Sequence, residues 1–199
     1  FCQDEFLSKK GVINESIVST ELGLKGIPNI SESINLYRDI EILAYAGGKI
    51  HIPYVTTSKG VNLIREAKKN NLDITASVSL AHITFSEKDI PEFDTNFKLI
   101  PPLRSESDLN SLKEGLIDGT IDYLTSMHEP FDIDNKKNVF DNASSGSIGL
   151  ESMFGLMNNQ FTLEKTIDIL TRKKIIFGVD DHPICLLYTS PSPRDNGRS

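Results

Sequence analysis

Apolar and polar residues recur along the chain in two periods, and the two periods alternate. Between residues 31 and 46 the apolar positions fall largely on one helical face, with Pro28 ahead and Gly47-Gly48 as a stop signal. The next apolar stretch is short and β-rich, and the polar corner at residues 56–58 can cap a helix. The pattern predicts a helix at 31–46, a strand at 49–55, a helix at about 59–70 and a strand at 72–80. This order is typical of a parallel βαβ unit.

A second unit with the same architecture follows, although its sequence does not repeat the first. It predicts an apolar stretch at 97–100, a break at Pro101-Pro102, a helix from the capping-box pair Ser105/Asp108 to about 117, a strand at 121–125, a loop at 126–146, and helices at about 149–158 and 162–173. Successive units of this kind indicate an α/β fold. Part of a (β/α)₈ barrel and a doubly wound open sheet would give the same local pattern, so both remain open on this ground.

Composition narrows the class of protein. The 199 residues, 38% hydrophobic and 25% charged, are typical of one ordinary globular domain. The net charge of −7 argues against nucleic acid or an anionic membrane as the main partner. No apolar run is long enough to span a membrane and no signal-peptide pattern opens the chain, so we expect a cytoplasmic protein. Cys2 and Cys185 lie too far apart in sequence to indicate a disulfide framework or a CxxC metal site.

The last fifteen residues differ in character from the rest. Residues 185–199 are rich in Ser, Pro and Arg and show no periodicity, which predicts a disordered segment. The run from Cys185 to Asp195 also resembles translated sequencing-adapter read-through, so we interpret it as a non-native tail. The domain is therefore expected to comprise residues 1–184.

Three of the four histidines lie in or near predicted strand ends, which is where parallel α/β folds bind ligands. His51 is inside the first strand of the βαβ unit, His82 follows the second, and His128 follows the strand that ends at Thr125. Catalytic zinc centres use three protein ligands, often neutral imidazoles, so the three could form a zinc site. The alternative is that His51 packs within the sheet and His128 forms a hydrogen bond in a loop.

The same strand ends offer little acid–base chemistry. A hydrolytic metal site usually needs a carboxylate that takes a proton from bound water and returns it to the leaving group. Met127 ends the strand segment before His128, and Glu129 is only a generic loop carboxylate. No Ser-His-Asp elbow, Walker loop or dinucleotide fingerprint is present in the sequence.

Four stretches of the sequence carry a recognisable pattern: residues 23–28 with Glu32 and 38–40, residues 101–105, residues 118–122 and residues 148–151. They resemble dihydroorotase, the zinc amidohydrolase that closes carbamoyl aspartate to dihydroorotate in pyrimidine biosynthesis, and related cyclic-amide hydrolases. Their order and spacing extend the resemblance over residues 3–178. It implies the (β/α)₈ barrel of the metal-dependent hydrolases, of which residues 1–184 would supply the C-terminal half or slightly more.

The resemblance also assigns side chains to the family's site positions, and most of these depart from the family pattern. Tyr54 stands where the family has a zinc-binding histidine. Met127 stands where it has the aspartate that contacts the metal and acts as general acid and base. Ile100 and Phe131 replace two residues that contact the substrate, and Phe1 replaces a further histidine. We therefore expect no catalytic residue in this chain.

One ligand survives on this reading, because His82 falls on a zinc-ligand position of the family. The resemblance thus implies zinc as the family cofactor and predicts that it is absent or weakly bound here. The favoured hypothesis is a non-catalytic dihydroorotase-like protein with a structural or regulatory role. It would fulfil this role by binding aspartate carbamoyltransferase or by self-association.

Two alternatives stay open. The first is an active zinc-dependent cyclic amide hydrolase with a rearranged site that uses His82, His128 and His51. The second is an apolar pocket that binds an aromatic or apolar ligand without turnover. Its walls would be Tyr54, Ile100, Met127 and Phe131, and the hypothesis requires these four side chains to share a cavity.

Overall fold

A computed structural model describes residues 2–171. Phe1 and the segment predicted as a tail, 185–199, lie outside the described residues, as do the last two positions of the helix expected to end at 173. The helices are α1 (Glu5–Ser8), α2 (Ile17–Glu21), α3 (Ile30–Ala46), α4 (Ser58–Lys69), α5 (Leu80–Thr84), α6 (Glu106–Asp118), α7 (Ile133–Lys136), α8 (Met153–Gln160) and α9 (Leu163–Thr171). The strands are β1 (Ile13–Asn14), β2 (Gly26–Ile27), β3 (Ile50–Ile52), β4 (Ile74–Ser79) and β5 (Tyr123–Thr125), and short 3₁₀ turns span Glu87–Asp89 and Thr95–Phe97.

The strands form two parallel sheets. In the larger sheet the order is β3-β4-β5, with Ile50 opposite Ile74 and Ser77 opposite Tyr123. Helix α4 connects β3 to β4, and α5 and α6 lie between β4 and β5 in sequence. The smaller sheet pairs β1 with β2. Because all three strands of the larger sheet run the same way, their carboxyl ends lie at one edge.

Local chemistry explains where the main helices begin. Thr57 accepts a hydrogen bond from the Gly60 amide at the start of α4, and Ser105 accepts one from the Asp108 amide at the start of α6. Helix α6 ends at Gly119, whose φ of +82° is strained for any other residue type. The helices pack on the sheet through one apolar core that includes Leu36, Val61, Ile64, Val78, Leu112, Leu116 and Ile121.

The predicted order of the main strands and helices is confirmed from residue 31 to residue 171, but the strands are shorter than predicted: 49–55 is reduced to Ile50–Ile52, and the strands expected from 72 and 121 begin at Ile74 and Tyr123. Three further differences concern the segments between them. The strand expected to reach 80 ends at Ser79, because Ser79 caps a new short helix, α5. The apolar stretch 97–100 is a loop after a 3₁₀ turn, and its Ile100–Pro101 bond is cis. The helix expected from 149 begins at Met153 instead.

The late start of α8 has a local cause. A Cβ at Gly149 would lie 2.2 Å from the carbonyl oxygen of Ser126, so this segment runs against the loop after β5. The bridge between His128 and Ser147 ties the two segments together. Residues 147–152 are consequently held in an extended or turn conformation rather than in a helix. In the part of the chain from 2 to 171, no helix is both long and apolar enough to cross a membrane.

Candidate functional site

The carboxyl ends of β3 and β5 each lead to a residue with left-handed backbone geometry. Tyr54, two residues after β3, has φ of +53°, and Met127, two residues after β5, has φ of +47°. Neither residue type adopts this region readily, and such strain is held in place only where the surroundings enforce it. These are two of the positions that the resemblance assigns to the family's metal chemistry. Their backbone is therefore specialised although their side chains are not metal-binding carboxylate or imidazole groups.

Met127 is 3% exposed, so its thioether lies within the protein. A thioether has no proton to exchange and only a weak acceptor sulfur. Tyr54 is half-buried, and its amide donates to the Ser77 hydroxyl at 3.4 Å. The end of β5 thus presents the thioether of Met127 where the resemblance places a carboxylate base, and the end of β3 presents the phenol of Tyr54 where it places a zinc ligand.

His82 is placed on α5 and is 2% exposed. Its Nε2 lies 3.1 and 3.2 Å from the carbonyl oxygens of Pro101 and Pro102, which can only accept, so Nε2 carries the proton. The Ser79 hydroxyl lies 2.6 Å from Nδ1 and donates to it. Burial lowers the pKa of His82 to about 4, so the ring is neutral. With both nitrogens engaged in hydrogen bonds, the imidazole has no free lone pair for a metal in this structure, and the assignment of His82 as a ligand stays a prediction.

His51 lies in β3 as predicted, but its side chain is exposed rather than packed within the sheet. Its Nδ1 is 2.8 Å from the Thr75 hydroxyl and its Nε2 is 3.3 Å from the Ser77 hydroxyl, both on β4. The ring meets Tyr123 of β5 edge-on, with centroids 5.6 Å apart. His51 therefore belongs to a polar row across the sheet, and burial lowers its pKa.

His128 is exposed in the loop after β5, and its Nδ1 accepts from the Leu150 amide at 3.4 Å. This agrees with the interpretation of a loop hydrogen bond. Within residues 2–171, no three His, Cys, Asp or Glu side chains are grouped so that they could hold a metal ion. The structure therefore does not bring His82, His128 and His51 together, and the hypothesis of a rearranged zinc site stays a prediction.

One of the four residues of the expected apolar pocket lines a cavity that the structure shows. A cavity of about 520 Å³ lies beside the loop after β5 and is lined by Phe131. Tyr54, Ile100 and Met127 do not line it. This cavity is therefore not the pocket of four side chains that the sequence analysis proposed.

A buried carboxylate that the sequence analysis did not single out as a functional residue organises the turn after β3. Glu32 of α3 is 2% exposed and accepts hydrogen bonds from the amides of Thr56 and Thr57 at 3.0 Å each. It also accepts from both threonine hydroxyls, at 2.7 Å for Thr57. The turn that follows Tyr54 is thus fixed by one side chain from a helix 24 residues earlier in the sequence.

Arg104 provides the cation of the same region and is also 2% exposed. Its Nη1 donates to the Asn14 side chain and the Ile27 carbonyl at 2.7 Å each, and its Nε donates to the Thr56 hydroxyl at 3.2 Å. Burial lowers the pKa of Arg104, and the charges of Glu32, Asp108 and Glu87 oppose that effect. A guanidinium remains protonated at neutral pH, so one cation here joins the small sheet to the larger one.

Asp108 completes this buried cluster at the start of α6. It accepts from the Ser58 amide at 2.8 Å and from the Ser105 hydroxyl at 2.6 Å, and the Asn29 amide group donates to it at 3.2 Å. We refer to Glu32, Arg104, Asp108, Thr56 and Thr57 as the Glu32–Arg104 network. Glu32 and Arg104, which belong to the motifs that carry the family resemblance, are two of its three charged members.

Comparison with known proteins identifies the family. The chain is 39% identical over 178 residues to a protein named dihydroorotase from Listeria innocua serovar 6a, which covers 86% of the chain. It is 40% identical over 189 residues, or 95% of the chain, to a protein of the same name from Caldanaerobacter subterraneus subsp. tengcongensis. The chain belongs to the dihydroorotase-like amidohydrolases. It spans 42% and 43% of the lengths of these two relatives. No protein-family model matches it.

Solved structures show the fold of these dihydroorotase-like proteins. An L-hydantoinase (dihydropyrimidinase) from Arthrobacter aurescens matches 84% of the chain with a TM-score of 0.69 and 22% identity, over 42% of its own length. A dihydroorotase from Saccharomyces cerevisiae, solved with 5-fluoroorotic acid, matches 76% of the chain with a TM-score of 0.63 and 18% identity, over 44% of its length. The prediction of part of a (β/α)₈ barrel is confirmed, and the open-sheet alternative is dropped.

The zinc that the resemblance implies does not fit the side chains that residues 2–171 bring to the strand ends. A zinc centre needs imidazole, thiolate or carboxylate donors converging on one point. Tyr54 and Met127 occupy two of the expected positions, and the nitrogens of His82 are both engaged. We therefore derive no catalytic step through a metal in this part of the protein.

Proposed function

We propose that this dihydroorotase-like protein does not hydrolyse or close cyclic amides and acts instead as a structural or regulatory partner. The observation that carries the proposal is the buried Met127, which stands at a strained strand-end position where the family needs an acid–base carboxylate. Without a base, acid–base catalysis forfeits roughly 10²- to 10⁴-fold in rate.

The retained interactions support the same interpretation. The Glu32–Arg104 network holds the turn after β3 through several buried hydrogen bonds, although the adjoining Tyr54 has no zinc-binding group of the family type. A chain under selection for its folded shape would keep the network and be free to change the strand-end side chains.

The proposed partner is aspartate carbamoyltransferase or a second copy of this protein. Helix α3 supports an association role, because one helix with a well-packed inner side also carries several exposed large apolar residues. They are Ile30, Ile34, Tyr37, Ile42 and Tyr45. Sedimentation of the full-length protein, alone and with aspartate carbamoyltransferase, would detect either assembly.

The deciding experiment measures zinc by elemental analysis and dihydroorotase turnover on one preparation of the full-length protein. We expect zinc well below one atom per chain and no turnover above a heat-inactivated sample, whereas an active dihydroorotase prepared in parallel gives both. Stoichiometric zinc with turnover would refute the proposal and would indicate a metal centre outside residues 2–171.

A further inference from the structure

A cavity of about 520 Å³ lies beside the loop after β5 and is lined by residues of the segments that follow β4 and β5. Its volume is within the range of ordinary small-molecule sites. One side is formed by α5 and the segment that follows it, through Ala81 and Phe85, and the opposite side by Ile133 and Ile148. Tyr54, Ile100 and Met127 are not among its walls.

The walls are mainly aromatic and branched aliphatic. Phe85 and Phe97 meet edge-on with ring centroids 5.4 Å apart, and Leu99 and Leu103 are buried to 2% and 1% exposure beneath them. Phe131 closes another side, where its ring would lie 2.8 Å from any Cβ at Gly146. Such a surface favours a flat apolar body over a strongly hydrogen-bonding polar ring.

One cation lies in the wall of this apolar cavity. Lys136 donates from Nζ to the carbonyl oxygens of Thr95 at 3.0 Å and Gly146 at 2.7 Å. An ammonium has three donors, so one remains after these two bonds. Burial lowers the pKa of Lys136, and the charge of Lys98 adds to that effect while Asp94 opposes it.

Two carboxylates act on the lysines near the cavity through space, Asp94 on Lys136 and Asp141 on Lys98. Lys98 is 5% exposed, and its Nζ donates to the carbonyl oxygen of Asp141 rather than to a carboxylate. Among the residues that the structure describes, neither Lys98 nor Lys136 forms an ion pair. Two ammonium groups whose hydrogen bonds go to neutral carbonyls leave an attraction for an anion.

We propose that this cavity is a binding site for a small monoanion with a flat apolar body, such as an aryl carboxylate, whose anionic group pairs with Lys136. The body of the ligand fills the space between Phe85, Phe97 and Phe131. The site binds without chemistry, and the proposal does not depend on whether the protein acts on cyclic amides.

Glu129 is the one carboxylate among the cavity's described lining residues, and its charge opposes an anion. The residue is exposed, so water and salt screen its charge far more than that of a buried group. Replacement of Glu129 by Gln should therefore strengthen anion binding, by a smaller factor than the loss of Lys136 weakens it.

The test uses three probes of one shape and different charge: 1-naphthoate, 1-naphthamide and 1-naphthylmethylammonium. Calorimetric titration into the full-length protein should give one saturable site for naphthoate. We expect about tenfold weaker binding for the neutral amide, the difference that one charge-assisted hydrogen bond typically makes. The cation should bind most weakly.

Variants then locate the site. K136Q should reduce naphthoate affinity to that of naphthamide and leave naphthamide affinity unchanged, whereas K137Q at the exposed neighbouring lysine should change neither. I133W adds bulk at the exposed rim and should weaken all three probes, while F154A removes an exposed aromatic side chain outside the cavity and should not. Thermal unfolding of each variant verifies that it is folded.

Three results would overturn the proposal. The first is an unchanged naphthoate-to-naphthamide ratio in folded K136Q. The second is undiminished binding in I133W, and the third is the absence of saturable naphthoate binding to the full-length protein, which would mean that the rest of the chain fills the cavity.

Discussion

Only Val55 separates Tyr54 from Thr56, yet the two residues belong to regions with different surroundings: Thr56 to a buried hydrogen-bond network and Tyr54 to the end of a strand. Thr56 donates to Glu32 with both its amide and its hydroxyl and is buried completely. Tyr54 is strained in backbone, half-buried, and carries a side chain unlike the family's ligand. Residues such as Thr56 fix the backbone of the turn after β3, whereas Tyr54 stands at a position where the family places a functional side chain.

The Glu32–Arg104 network joins four parts of the chain that are distant in sequence: the small sheet, α3, the turn after β3 and the start of α6. The loss of Arg104 would leave the buried carboxylates of Glu32 and Asp108 without this counter-charge, and the loss of Glu32 would remove one of the negative charges that act on Arg104. Within residues 2–171, the strand-end positions include no group of three His, Cys, Asp or Glu side chains that could hold a metal ion. Mutations in the Glu32–Arg104 network should therefore lower the free energy of unfolding strongly, whereas mutations at the strand-end positions should lower it less.

The largest effect is expected for E32A. This variant removes the acceptor that two buried amides and two buried hydroxyls share, and it removes a negative charge that acts on the buried Arg104. Because buried donors are then left without a partner, we expect a loss of about 3–5 kcal/mol in the free energy of unfolding. Urea unfolding of the full-length protein measures it. E66A provides the control, because Glu66 forms only an exposed ion pair with Lys69 and should cost less than about 1 kcal/mol. Equal effects in the two variants would contradict the structural role of the network.

The pattern of hydrophobic residues predicted the helices that are long enough to show a periodic spacing of apolar residues. Helices α3, α4 and α6 each have apolar residues at helical spacing, with a cap or a glycine at an end, and all three were found near their expected positions. Helix α5 was missed because its five residues are too few to show a period. Its start depends on the side chain of Ser79, which resembles any strand serine in sequence.

The candidate site was harder to predict because its decisive contacts cross long stretches of chain. The carbonyl groups that occupy His82 come from residues 19 and 20 positions later. The partners of Arg104 at β1 and β2 are up to 90 positions earlier. Histidine spacing relative to strands indicated a metal site, but it carries no information on whether the ring nitrogens are already bonded. The motif residues Glu32 and Arg104 were the available signal for the network.

The next largest effect is expected from His82, which should make the free energy of unfolding depend on pH. Its folded-state pKa of about 4 is below the value of about 6.5 expected when it is unfolded, so the unfolded state binds its proton first as the pH falls. The stabilisation is complete above about pH 6.5 and is lost between about pH 6.5 and 4. At about 1.4 kcal/mol per pKa unit this amounts to about 3 kcal/mol.

H82Q should remove most of that pH-dependent loss. The measurement compares urea unfolding at about pH 7 and pH 4 in the two proteins, so that the titration of carboxylates common to both cancels. H51Q is the matched control, because His51 is exposed and its removal should change the dependence less. A wild-type slope retained in H82Q would mean that His82 titrates normally and is accessible, which would restore it as a candidate ligand.

The smallest effect tests how closely the network packs on α4. A Cβ at Gly60 would lie 2.6 Å from Oε1 of Glu32, an atom held by Thr57 and unable to move aside freely. We expect G60A to lower the free energy of unfolding by about 1–3 kcal/mol through overpacking. In α8, Gly155 is exposed and has no atom within 4 Å of a Cβ, so G155A should raise the free energy by about 0.5–1 kcal/mol.

Opposite signs for the same substitution in two helices would show that glycine at position 60 is required by contact with Glu32 and not by helix preference. If G60A were instead stabilising, the carboxylate of Glu32 would have to move without loss, and the turn after β3 would be less rigid than its hydrogen bonds indicate. The strained backbone at Tyr54 would then lack a rigid turn beside it to hold it in place. The distinction between the Glu32–Arg104 network and the strand-end positions would weaken where Tyr54 adjoins the turn.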